Sequence, residues 1–113
     1  MNDTERLEAL EAYGADIPGL TERFMGDLTL YETCYQLFLE EPDQAELRDA
    51  LARQDYEAAL SAAHSIKGTS GNLGLTPLYR AACALTDSLR NGEYGAVPTQ
   101  YEALCEAFST LPR

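Results

Sequence analysis

The sequence predicts an all-α fold, an antiparallel up-and-down four-helix bundle with short N-terminal capping helices. Three observations carry that expectation. Helix-forming residues dominate the chain. Glycine and proline are gathered at residues 14–19, 26, 42, 68–74, 77, 92–95 and 98, where they punctuate helical segments. There is no period-2 alternation bounded by hairpin turns, no repeat at a solenoid period and no low-complexity stretch. At 113 residues the chain is long enough for one buried core and too short for two, so residues 1–113 are expected to form one domain.

A first short helix is expected over residues 4–13, with Leu7 and Leu10 on one face, and a second short turn over about residues 20–25. Both would cap the larger bundle. Asp27 can N-cap the next helix by offering its carboxylate to free amides. Leu30, Cys34, Leu37 and Phe38 then recur at helical spacing to about Glu40. Pro42 breaks or kinks that helix, and residues 43–53, with Leu47 and Leu51, either continue it or form a separate one. Asp55 reads as the N-cap of a helix to about Gly71. Thr76 and Pro77 open another to about Arg90, and Pro98 opens the last, to about Thr110.

The charge balance excludes several function classes. Nineteen acidic against eight basic residues give a net charge of -11, which repels nucleic-acid phosphates and anionic lipid. The acidic residues are spread along the chain as a solvated surface. No stretch approaches the roughly 20 apolar residues of a membrane span, and the first residues lack a secretory leader's basic and apolar regions. A cytoplasmic, monomeric protein is expected, and Met1 with a complete bundle favours a stand-alone chain. Cys34, Cys83 and Cys105 are far apart and lie in apolar helical contexts, so buried reduced thiols are expected. One histidine and no clustered cysteines leave little for a zinc site, and no cofactor is called for.

The chemistry concentrates on the helix that follows Asp55. At roughly 100° per residue, Ala59, Ala62, Ile66, Thr69 and Leu73 fall roughly 140 to 180° from His64 and form the stripe that should face the bundle. Glu57, Leu60, Ser61, Lys67, Gly68 and Gly71 lie within about 60° of His64, which places the imidazole on the outward face. Lys67 at i+3 can reach the same surface, and Gly68 at i+4 removes a side chain that would cover the ring. A helix-interior glycine costs about 0.5 to 1 kcal/mol relative to alanine, so Gly68 asks for a reason, whereas Gly71 could simply end the helix.

An exposed neutral imidazole is a good nucleophile that a large donor can approach in line. Lys67 adds the positive charge that phosphoryl transfer needs. The arrangement suits a phosphoryl carrier. No phosphate-binding glycine loop is present, so ATP binding and self-phosphorylation are not expected. A hydrolase would have to pair the single histidine with Ser61, Ser65 or a distant carboxylate, and those serines are more simply polar surface.

Ala63-His64-Ser65-Ile66-Lys67-Gly68, followed by Asn72-Leu73-Gly74 and Leu78, closely resembles the histidine phosphotransfer (HPt) domain family, whose pattern is Ala-His-x-Leu-Lys-Gly, a glycine six residues on and a leucine. Upstream, residues 14–20 with Arg23, Gly26-Asp27, Leu30-Tyr31 and Phe38 are similar to the family's approach segment, so the resemblance spans about residues 10–90. It implies that His64 is the phosphoacceptor, that Lys67 interacts with the phosphoryl group and that Gly68 gives clearance. It also implies a carrier without enzymatic activity of its own. Its partners would be a response-regulator receiver domain, which brings magnesium and the catalytic carboxylates, and a sensor or hybrid histidine kinase. Docking is expected around Leu60, Ser61, His64, Gly68 and Gly71, with contributions from the helix over residues 28–40. Two departures stand out. Leu85-Thr86 replaces a common Leu-Glu, which leaves that glutamate's role unfilled, and Ile66 replaces the usual leucine conservatively.

Overall fold

The computed structural model describes residues 1–113 and contains seven α-helices and one 3-10 turn, with no strand. Helix α1 spans Asp3–Tyr13 and opens with a capping box. The Asn2 side chain accepts from the Glu5 amide at 2.8 Å while the Glu5 carboxylate accepts from the Asn2 amide at 3.2 Å. Helix α2 spans Ile17–Arg23, earlier than the expected 20–25. The reason is local: Asp16 caps the Gly19 amide, Pro18 fits the first turn, and Met25, at φ 53° and 92% exposed, lies past the end.

Helix α3 spans Leu28–Glu40 and begins where expected, with the Asp27 carboxylate accepting from the Leu30 amide at 3.0 Å. Its buried face differs from the expected one. Tyr31, Tyr35 and Phe38 point into the core, Cys34 is half-buried, and Leu30 and Leu37 face outward. The tyrosines combine a large apolar body with a hydroxyl that finds a carbonyl inside the fold. Tyr31 donates to Leu73 O at 2.6 Å and Tyr35 donates to Pro112 O.

Residues 43–53 form a separate helix, α4, over Asp43–Ala52, because Glu41 turns the chain into an extended conformation before Pro42. Helix α5 (Tyr56–Asn72) is N-capped by Asp55, whose carboxylate accepts from the Ala58 amide at 3.1 Å. Helix α6 spans Thr76–Asn91 and α7 spans Val97–Ser109, the latter after a 3-10 turn at Tyr94–Ala96.

Helices α3 and α4 run in series as one leg of the bundle, with α5, α6 and α7 as the others. The Tyr31 hydroxyl lies at the C-terminal end of α5, whereas Phe38 meets Ile66 and Phe108 halfway along. From there α4 follows the N-terminal half of α5. The Phe38 and Phe108 rings stack at 5.8 Å, and Tyr56 stacks on Tyr94 at 3.9 Å near the opposite end. Helices α1 and α2 close the end where α5 turns into α6: the Asp16 amide donates to Gly74 O at 2.8 Å and the Tyr13 hydroxyl to Ala107 O at 2.8 Å. Leu10 and Leu20 of these caps belong to the same buried cluster as Ile66, Leu85 and Leu104.

Arg6 is the one buried charge. Its Nε and Nη2 donate to Glu32 at 2.9 and 3.0 Å, its Nη1 to Pro112 O at 3.2 Å, and its guanidinium lies 4.8 Å from the Tyr35 ring centre. Burial is tolerated because the charge is paired in a bidentate bond. The same guanidinium holds the Glu32 carboxyl below its usual range. The three cysteines are unpaired, and half-buried instead of fully buried.

Candidate functional site

The site is built on α5. Its inward face comprises Ala59, Ala62, Ala63, Ile66, Ser70 and, just past its end, Leu73. Thr69, expected in that stripe, is only half-buried, and Ala63 and Ser70 take its share. The buried face is thus turned toward the Ala63 and Ser70 side. Alanine and serine there are small, and the buried Ser70 hydroxyl is satisfied by donating to Lys67 O at 3.2 Å.

His64 still lies outside that face and is exposed, with Ser61, Ser65 and Gly68 exposed around it. Lys67, the single lysine of the chain, stands one turn from the single histidine, half-buried and in no ion pair. Its ammonium is therefore uncommitted. A Cβ placed on Gly68 would meet nothing within 4 Å, so the space over that turn is open. Gly71 is different. A Cβ there would stand 2.9 Å from Tyr79 Cδ1, and the surface at that position is the Tyr79 ring of α6. Nor does Gly71 end the helix, which runs on to Asn72.

Leu60, expected as an open apolar surface residue, is half-buried and packs against the core, so only its edge faces solvent. Ser61 lies in a shallow depression between α4 and α5 with Glu46, Asp49 and Arg53. Sequence reasoning had no signal for the neighbour on the other side. Ser65 donates to Asp43 Oδ2 at 2.7 Å, tying the residue after His64 to the first turn of α4. Glu41 lies close to the same Asp43, and burial, with that second carboxyl, pushes the Glu41 carboxyl up. Thr86, where the resemblance left a glutamate's role unfilled, is fully buried on α6, with a hydroxyl that has no hydrogen-bond partner.

An exposed imidazole, with an unpaired ammonium and an open notch side by side one turn away, can accept a phosphoryl group from a bulky donor. The family model described as Hpt domain matches residues 35–113, from within α3 through α7 and across the whole His64 block. The chain belongs to the Hpt domain family. Of the upstream approach segment only Phe38 falls within the match; residues 14–20, Arg23, Gly26-Asp27 and Leu30-Tyr31 lie outside it. No curated protein and no solved structure matches the chain. Membership implies a phosphotransfer role in two-component signalling, with kinases and receivers as partners, and Hpt domains are phosphocarriers rather than enzymes. No helix is long and apolar enough to cross a membrane.

Proposed function

We propose that this Hpt protein is a cytoplasmic phosphocarrier that shuttles a phosphoryl group between His64 and the aspartates of response-regulator receiver domains. The unprotonated imidazole nitrogen attacks the phosphorus of a receiver aspartyl phosphate. An N–P bond forms as the acyl P–O bond breaks, and the aspartate leaves as a carboxylate. The reverse reaction returns the group. Lys67 offsets the charge on the phosphoryl oxygens during transfer. Gly68 leaves room for the partner, whose footprint takes in Ser61, the free edge of Leu60 and the Tyr79 ring above Gly71.

The observation that carries this reading is the open space over Gly68, directly beside an exposed His64. A helix-interior glycine that packs against nothing is a net cost to the fold, and clearance for a docked protein gives it a reason. The test is incubation with phosphorylated receiver domains, followed by chemical analysis of the label on this chain. Acid-labile, base-stable phosphate is expected. No transfer from any receiver, or an acid-stable phosphate, would overturn the reading.

A further inference from the structure

Beyond the His64 notch, α5 leads into a solvent-open cleft of about 490 Å3 between α2, the end of α5 and the start of α6. Arg23, Arg80, Ser70, Thr76 and Tyr79 line it, and its single carboxylate, Asp16, is engaged in capping the Gly19 amide. We propose that this cleft binds an acidic segment of the phosphotransfer partner, an inference that rests on the phosphocarrier reading above.

Two observations point to an anionic occupant. In a chain with 19 acidic residues, Arg6, Arg48, Arg53 and Arg90 each lie within 4 Å of a carboxylate. Arg23, Arg80 and the terminal Arg113 do not, and the first two both line this one cleft. Arg23 is also held in place: its Nε donates to Asn72 O at 2.9 Å, which anchors the guanidinium at the C-terminal end of α5. A fixed guanidinium with free donors is suited to a carboxylate.

Position argues for a segment of the docked partner over a free ion. Gly71 is two turns from His64 on the same face of α5, about 10 Å along the axis. A typical partner covers about 800 Å2, a patch reaching roughly 16 Å from its centre, so a protein seated over His64 reaches the cleft. Lys67, on α5 between His64 and Gly71 in sequence, adds a third unpaired cation to this side of a protein whose net charge is -11. Acidic groups of a docked partner would be attracted to these unpaired cations against a mostly acidic surface, which steers encounter and favours one orientation.

The defined probe is hexaglutamate, titrated at low salt while the backbone amides are followed by NMR. Saturable shifts are expected at Gly71, Gly74, Thr76 and Tyr79, weakening with added sodium chloride and absent in Arg80→Glu. Arg80 is exposed, so that substitution spares the core; Arg90→Glu, exposed in the last turn of α6, is the charge control. With a receiver that transfers to the unsubstituted protein, Arg80→Glu should raise the half-saturating receiver concentration about tenfold, with the effect on that concentration and not on the saturated rate. Shifts scattered over the surface, or equal shifts with inorganic phosphate at the same charge concentration, would overturn the proposal. So would equal behaviour of the two charge reversals. If no receiver labels His64, the phosphocarrier reading fails by itself, and the hexaglutamate titration still judges the cleft.

Discussion

Gly68 offers the sharpest separation of stability from function. Nothing stands within 4 Å of the Cβ that Gly68→Ala would introduce, so the substitution carries no packing penalty. It gains the full helix propensity difference, about 0.5 to 1 kcal/mol. With an unfolding entropy of about 2.1 cal/mol/K per residue, a chain of 113 residues should melt roughly 2 to 4 °C higher. The same methyl group enters the notch beside His64 and should slow transfer from a phosphorylated receiver. Gly68→Gln, with a longer side chain in the same open space, should block it while phosphoramidate, if it labels the unsubstituted protein, still reaches the imidazole. Thermal unfolding by circular dichroism, beside receiver and phosphoramidate labelling time courses, measures both effects. Variants that transfer from the receiver at the unsubstituted rate would show that the partner does not enter the notch, and a lowered melting temperature would show that the space over Gly68 is not open.

Lys67→Ala should slow receiver-to-protein transfer with an unchanged melting curve, because an unpaired half-buried lysine contributes charge rather than packing; equal transfer rates would reduce it to a surface cation. Tyr31→Phe should lower stability by about 1 to 3 kcal/mol in urea unfolding, since it leaves Leu73 O buried without its partner. Glu32 has a folded-state pKa held down by Arg6, so its contribution is present above the ordinary glutamate range near 4.5 and is lost as pH falls through the lowered folded value. Urea unfolding at pH 7 and pH 3 should therefore show a smaller acid-induced loss in Glu32→Gln than in the unsubstituted protein.

The outward position of His64 was legible because a lone histidine opposite alanines and an isoleucine leaves little choice of face. Gly68 was legible as a glycine lacking a reason inside the helix. The same angles misplaced Thr69, because ideal spacing does not say which side of a helix its neighbours cover, and here the covered side includes Ala63 and Ser70. Helix α3 misled for another reason. Hydropathy ranks leucine above tyrosine, yet Leu30 and Leu37 are outside while Tyr31 and Tyr35 are inside, where distant carbonyls receive their hydroxyls. Arg6 could not be read as buried at all, since its partners are Glu32 and the carbonyl of Pro112, 26 and 106 residues away. Gly71 needed Tyr79, eight positions along and on another helix. What the sequence withheld was in these cases a neighbour on another element.

Whether His64 alone carries the phosphoryl group is decided by mapping the phosphorylated residue in the unsubstituted protein and in His64→Gln after incubation with a phosphorylated receiver. The exposed imidazole contributes nothing to the buried core, so His64→Gln should unfold at the same temperature as the unsubstituted protein. An N-linked phosphate on His64 and no label in the variant are expected. Label that persists in a folded His64→Gln protein would contradict it and place the phosphoacceptor elsewhere.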